Sequence, residues 1–135
     1  MGAEQTFIIV KPEAVARGIA GEIIHRFERR GLRIARLQMV RIDRELAKRH
    51  YAHLADKPFF AGVLDAITAG PAIIGVLEGP EAISVVRALV GPTDPAKAPA
   101  GTIRGDYGTE LPFNHIHASD SPESAVREIQ LFFGS

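Results

Sequence analysis

Apolar positions change period several times along the chain, and each change predicts an element. Residues 6–11 (TFIIVK) are mostly β-branched or aromatic and stop at Pro12, the pattern of a buried strand closed by a turn. Ile19, Ile23, Ile24 and Phe27 then recur at helical spacing, with Gly31 placed as a C-terminal cap. Residues 32–42 return to alternation through Leu32, Ile34 and Ala35, Leu37 and Met39, and predict a second strand. Asp43 is an N-cap for a helix carrying Leu46, Ala47, His50 and Leu54. Residues 59–68 predict another short helix, ended by Gly70-Pro71, and residues 72–77 a third strand. Pro80 opens a helix through Ile83, Val86 and Val90 that Gly91 closes. Residues 113–117 form the last short strand. Ser121-Pro122 starts the final helix, with Ser as cap and Pro in the first turn.

The order β-α-β-(αα)-β-α-β-α is two split β-α-β units. It predicts an α/β (α+β) fold, a ferredoxin-like four-stranded antiparallel sheet with helices packed on one face. Residues 91–112 fit badly, being aperiodic and rich in Pro, Gly and Ala. A loop of that length inside a compact domain is functional or held by a partner. No repeat and no boundary interrupts the chain, so residues 1–135 are read as a single domain.

Composition narrows the classes. Hydrophobic residues make up 46% and charged residues 24%, a folded rather than a disordered profile. Net charge is zero, so no bulk attraction to nucleic acid or membrane is implied, though a local basic pocket is compatible with it. The absence of cysteine removes disulfides, thiolate nucleophiles and cysteine-based zinc sites, and suits a reducing compartment. The first apolar run, residues 7–10, is too short for a signal peptide or a membrane span. Met1-Gly2 with Thr6 is set aside as a lipidation signal, and the cytoplasm is the expected location.

Chemistry concentrates in NHIHASDSPESAVREIQLFF, residues 114–133. On a strand His115 and His117 point the same way, so with Asp120 they could converge on a metal. His50 and His53, three apart on a helix, make a second pair, and neither pair has further ligands at helpful spacing. Each histidine taken alone is also compatible with no role. Glu128 lies on the apolar stripe of Ala125, Ile129, Phe132 and Phe133, where a carboxylate is costly without a partner. An arginine ion pair would satisfy it. So would a histidine, whose tautomer it would fix while freeing the other ring nitrogen to attack. GTIRGDYG sets Arg104 between glycines, Arg87 sits just before Gly91, and Lys11 ends the first strand. Those cations suit phosphate, yet no GxxxxGK[ST] or GxGxxG occurs.

Together, TFIIVKPEAV, GEIIHRFERRGL, HYAHLADKPFF, GPTDPAKAPAGTIRGDYG and NHIHASDSPESAVREIQLFF resemble the nucleoside diphosphate kinase family over residues 4–133. The resemblance implies transfer of a γ-phosphate, typically from ATP, to another nucleoside diphosphate by a ping-pong path through a phosphohistidine. It makes His117 the nucleophile and not His115, with Glu128 holding the imidazole and Ser119 close to both. Lys11 and Tyr51 would attend the transferred phosphoryl group, while Arg87, Thr93 and Arg104 grip the outer phosphates. Asn114 and Lys11 would bond the ribose, and Phe59 would stack on the base with broad base specificity. Mg²⁺ would be carried by the nucleotide phosphates, with no protein metal ligands. The family also implies a homo-oligomer, a hexamer favoured over a tetramer, and residues 91–112 would gain support from a neighbouring subunit. No specific nucleic-acid or membrane partner is implied.

The chain departs from the family pattern at Ala14, Ala100 and Ala118, where KPDG, PGTIR and HGSD would have Gly, Pro and Gly, and at Glu13 in place of Asp. None of these removes a functional side chain, and left-handed dihedrals at Ala14 and Ala118 are disfavoured. Asn114 and His117 would face opposite ways on a regular strand, so the strand should end or twist between them. A catalytically silent nucleotide-binding regulator and a metal hydrolase using His115, His117 and Asp120 are the alternative readings.

Overall fold

A computed structural model describes residues 3–134, so Met1-Gly2 lies outside the described residues. Strands β1 (Glu4–Val10), β2 (Arg33–Val40), β3 (Ala72–Gly79) and β4 (Ile116–Ala118) form one antiparallel sheet in the order β2-β3-β1-β4. The helices are α1 (Pro12–Arg17), α2 (Ala20–Arg29), α3 (Arg44–His50), α4 (Phe60–Ile67), α5 (Ala82–Val90), α6 (Ile103–Tyr107) and α7 (Pro122–Phe133). This is the ferredoxin-like order expected from the sequence.

Phe7, Ile8, Ile9 and Val10 of β1 are all fully buried, because the strand is central and covered on both sides. Ile8 and Val10 pack with Ile23, Phe27, Val86 and Val90 of α2 and α5. Phe7 and Ile9 pack with Ala47 and Leu64 of α3 and α4, and with Ile129, Phe132 and Phe133 of α7. Each such side chain contributes roughly 1.5–3 kcal/mol on burial. Helices therefore cover both faces, not one as the strand–helix order had suggested. The paired helices between β2 and β3, with the last helix, supply the second layer.

The predicted caps are present. Asp43 accepts a hydrogen bond from the Leu46 N–H at 2.8 Å, Ser121 Oγ accepts one from Ser124 at 3.1 Å, and Gly31 is left-handed at φ 101°. Other boundaries differ for physical reasons. Pro12 does more than end β1, since it begins α1 with Lys11 as its N-cap. Helix α3 stops at His50 and Leu54 belongs to a separate 3-10 turn, Ala52–Leu54, so His50 and His53 do not share a helix face. The β2–β3 ladder slips between Ile34 and Arg36, which keeps Leu37 and Met39 on the Ile34 face, and at the sheet edge they remain 46% and 58% exposed. The last strand begins at Ile116 rather than 113.

Residues 91–112 have anchors within the chain itself. A 3-10 turn (Pro95–Lys97) and α6 punctuate the segment, and Ile103 plugs fully into the core. Arg26 pairs with Asp106 at 2.8 Å and stacks on the Tyr107 ring at 5.0 Å, while Arg17 Nη1 donates to the Tyr107 carbonyl at 2.6 Å. Thr102 caps α6 by accepting from the Gly105 N–H at 3.0 Å, and a Cβ on Gly105 would lie 2.0 Å from the Pro99 carbonyl oxygen. With its apolar anchors Pro95, Ile103 and Tyr107 irregularly spaced among polar ones, the segment shows no hydrophobic period. Among the described residues no helix is long and apolar enough to cross a membrane.

Candidate active site

A cleft of about 700 Å³ opens where the C-terminal end of β1, the start of β4 and the segment after α5 meet. Lys11, Tyr51, Phe59, Arg87, Thr93, Arg104, Asn114 and His117 all line it, as does Asp120. Ser119 and Glu128 stand behind His117, which brings every predicted site residue to one place.

His117 lies on β4, paired with Ile9, and its Nε2 is 3.1 Å from Glu128 Oε1 in a contact too bent for a well-formed hydrogen bond. Nε2 is buried, so Nδ1 is the nitrogen left open to the cleft. Glu128 projects from α7, 4% exposed, and accepts a 2.7 Å hydrogen bond from Ser119 Oγ. Ser119 Oγ in turn accepts from the Phe7 N–H at 3.2 Å, tying the carboxylate to the backbone of the central strand. Burial alone would raise the Glu128 carboxyl, but His117 and Ser119 outweigh it and hold it below its ordinary value. Arg127 approaches Glu128 Oε2 only at 4.0 Å, so the histidine rather than an arginine is the near partner.

The cations sit opposite. Arg104 is 4% exposed and donates to the carbonyls of Gly91 at 3.0 Å and Ile116 at 2.7 Å. Burial, then the Arg87 charge, pulls its pKa down to about 10, which still leaves it cationic at neutral pH. Arg87 Nη1 donates to the Ala118 carbonyl at 3.1 Å. Both guanidiniums are thus oriented by neutral backbone oxygens, and although the Asp120 carboxylate lies in the field of Arg87, together they give the cleft a positive character suited to an anion. Lys11 Nζ donates to the Pro112 carbonyl at 2.7 Å and to Asn114 Oδ1 at 3.0 Å, and Asn114 Nδ2 donates to the Thr93 carbonyl at 2.9 Å. Burial lowers the Lys11 amine. Burial also raises the Tyr51 phenol, keeping it a hydroxyl donor. Phe59, 53% exposed, offers a ring face at the cleft mouth.

His115 does not converge with His117. It adopts φ 74°, and its buried ring lies against Arg17 Nη1 at 2.9 Å and the Phe113 carbonyl at 3.0 Å. The left-handed residue resets the chain direction, so Asn114 and His117 both reach the cleft. Glu13 holds this conformation by accepting from the His115 N–H at 3.0 Å. The His115–His117–Asp120 metal site is thereby excluded, since the two rings occupy different environments. His50 was paired with the wrong partner by sequence. Its ring stands edge-on to His117 at 4.6 Å, 2% exposed. The usable signal was its place three residues after Ala47, on the buried side of α3.

The family profile described as nucleoside diphosphate kinase matches residues 4–135. A nucleoside diphosphate kinase of Archaeoglobus fulgidus is 55% identical over 130 residues, covering 96% of this chain and 86% of the relative. One from Thermococcus kodakarensis is 56% identical over 133 residues, covering 96% and 76%. Among solved structures, the Halobacterium salinarum nucleoside diphosphate kinase in complex with CDP superposes with a TM-score of 0.96 at 48% identity, covering 99% of this chain and 90% of that one. The Encephalitozoon cuniculi enzyme also gives a TM-score of 0.96, at 42% identity and covering 98% and 90%. With identity above half across nearly its whole length and the same fold, the chain belongs to the nucleoside diphosphate kinase family, phosphotransferases that pass phosphate between nucleoside tri- and diphosphates.

Proposed function

We propose that the reaction runs through His117 Nδ1. In the first half-reaction the Nδ1 lone pair attacks the γ-phosphorus of a nucleoside triphosphate, typically ATP. The N–P bond forms, the bond to the bridging oxygen breaks, and the nucleoside diphosphate leaves with those electrons. The second half-reaction reverses these steps onto another diphosphate. The observation that carries this reading is Glu128 Oε1 at 3.1 Å from Nε2, braced by Ser119 and the Phe7 N–H. Keeping the ring proton on Nε2 leaves Nδ1 with a lone pair, and the carboxylate stabilises the positive charge that develops on the ring.

Arg87 and Arg104 hold the outer phosphates with Thr93, while Lys11 and Tyr51 contact the transferred group, where positioning and charge dominate catalysis. Lys11 and Asn114 are placed for the ribose. Phe59 stacks on the base, and stacking tolerates any base. The halobacterial relative was solved with CDP, which supports a nucleoside diphosphate as the ligand of this chain. Mg²⁺ fits a cleft that contributes one carboxylate, Asp120, because this ion binds through few protein ligands and substrate phosphates. When bound it would neutralise phosphate charge.

We further infer a homo-oligomer, a hexamer in preference to a tetramer, seated on the β2 edge where Leu37 and Met39 are exposed. We infer a cytoplasmic location, which a nucleotide-handling role supports. Initial rates with both substrates varied test the mechanism. Parallel double-reciprocal lines support the covalent path, and intersecting lines contradict it.

A further inference from the structure

The buried ring of His50 has no role in phosphoryl transfer as derived above, and both of its nitrogens lack a hydrogen-bond partner. A buried polar group without a partner costs free energy and needs a reason to persist. Its Nδ1 lies 3.9 Å from Glu128 Oε2, and Glu128 Oε1 lies 3.1 Å from His117 Nε2, itself without an aligned partner. One ligand atom from each of the three residues falls within 4.8 Å of the others, among the described residues the one such cluster.

We propose that His50, His117 and Glu128 bind a borderline transition-metal dication of the Zn²⁺ class, and that its occupancy silences the nucleophile. Zinc takes imidazole nitrogens and carboxylate oxygens at roughly 2.0–2.2 Å, which places tetrahedral ligands about 3.3–3.6 Å apart. The observed 3.1 Å from His117 to Oε1 and 3.9 Å from His50 to Oε2 lie on either side of that spacing, and one ligand atom per residue falls within 4.8 Å of the others. Two histidines and one glutamate leave a fourth position for water, and they prefer such an ion to Mg²⁺, which wants oxygen ligands. Access is available because His50 borders both the cleft and a neighbouring cavity of about 320 Å³. Arg127, 4.0 Å from Glu128, opposes the added charge and limits affinity.

The effect on phosphorylation follows from the tautomer and rests on the reading of His117 given above. A metal on Nε2 displaces the proton from that nitrogen, and the neutral ring then carries its proton on Nδ1. Without a lone pair there, Nδ1 cannot attack phosphorus. The ion also takes Glu128 away from its orienting contact.

Nucleotide-free protein titrated with Co²⁺, in excess Mg²⁺ to occupy oxygen sites, tests the site without using activity. The expected result is one equivalent showing intense visible bands of four-coordinate Co²⁺, displaced by Zn²⁺. His50→Gln and Glu128→Gln should each weaken binding by more than about tenfold, the scale that even outer-shell partners command. Circular dichroism and melting confirm that both variants remain folded. Absence of the bands, or Co²⁺ uptake unchanged in His50→Gln because exposed His25 or His53 takes the ion, overturns the proposal. In a second arm, micromolar Zn²⁺ should suppress phosphoprotein formation by the native chain, reversed by chelator, and should suppress it less in His50→Gln. Bands without suppression refute the silencing. A chain that never becomes phosphorylated refutes the His117 reading and leaves the metal titration to be judged alone.

Discussion

At His117 two requirements meet on one ring: the imidazole must be held, and one nitrogen must keep its lone pair. Glu128 meets both from behind, so Glu128→Gln, which keeps the volume and loses the charge, should slow phosphorylation by about 10²-fold or more while the protein stays folded. Single-turnover rates check this, and an unchanged rate would reduce Glu128 to packing. Ser119→Ala removes the bridge between Glu128 and the buried Phe7 N–H, and should cost about 1–3 kcal/mol in denaturant melts. His50 makes a pH prediction. Its folded pKa, about 3, lies below the ordinary 6.5, so the unfolded chain binds a proton that the folded chain refuses. Its contribution is complete above pH 6.5 and is lost as pH falls towards about 3. Glu128, also lowered on folding, adds a slope of the same sign in the lower carboxylate window. Stability measured against pH with chelator present should therefore flatten above pH 4.5 in His50→Gln, and an unaltered slope would contradict the burial argument.

Among the elements, the segment between α5 and β4 decides whether the arginines arrive in place. Gly105→Ala should cost several kcal/mol or unfold α6, because the added Cβ meets a backbone oxygen at 2.0 Å that cannot step aside. Thermal melts and nucleotide affinity should fall together, and a native-like melt would show that α6 shifts freely. Much of this architecture was legible in advance. Four strands, the caps at Asp43 and Ser121, and the parity conflict between Asn114 and His117 all followed from residue pattern, and left-handed His115 resolves that conflict. What escaped had no periodic signal. Helix α6 has five residues and one fully buried apolar anchor, Ile103, so its position rests on the local Thr102 cap and on the Arg26–Asp106 pair, whose members are 80 positions apart in sequence. The slip at Ile34/Arg36 was legible as the change of parity between Ile34 and Leu37, but the exposure of Leu37 and Met39 was not, since it comes from the edge position of β2. His50 was visible as a histidine but not as a neighbour of His117, since α3 and β4 meet only in the folded chain.

For the whole molecule, the exposed β2 edge is the surface that assembly would cover. Leu37→Glu with Met39→Glu should reduce the light-scattering mass from about six subunits towards one, because two charges cannot be buried unpaired at an interface. The loop's internal anchors predict that such a monomer keeps much of its activity. An unshifted mass would move the interface elsewhere. The central claim, a covalent relay through one histidine, is tested most directly by incubating the protein with γ-labelled ATP and following the label on the chain. The account predicts an acid-labile, base-stable phosphoprotein that releases its label to added nucleoside diphosphate, is absent in His117→Ala and persists in His115→Ala. Label retained by His117→Ala, or lost only in His115→Ala, would contradict it.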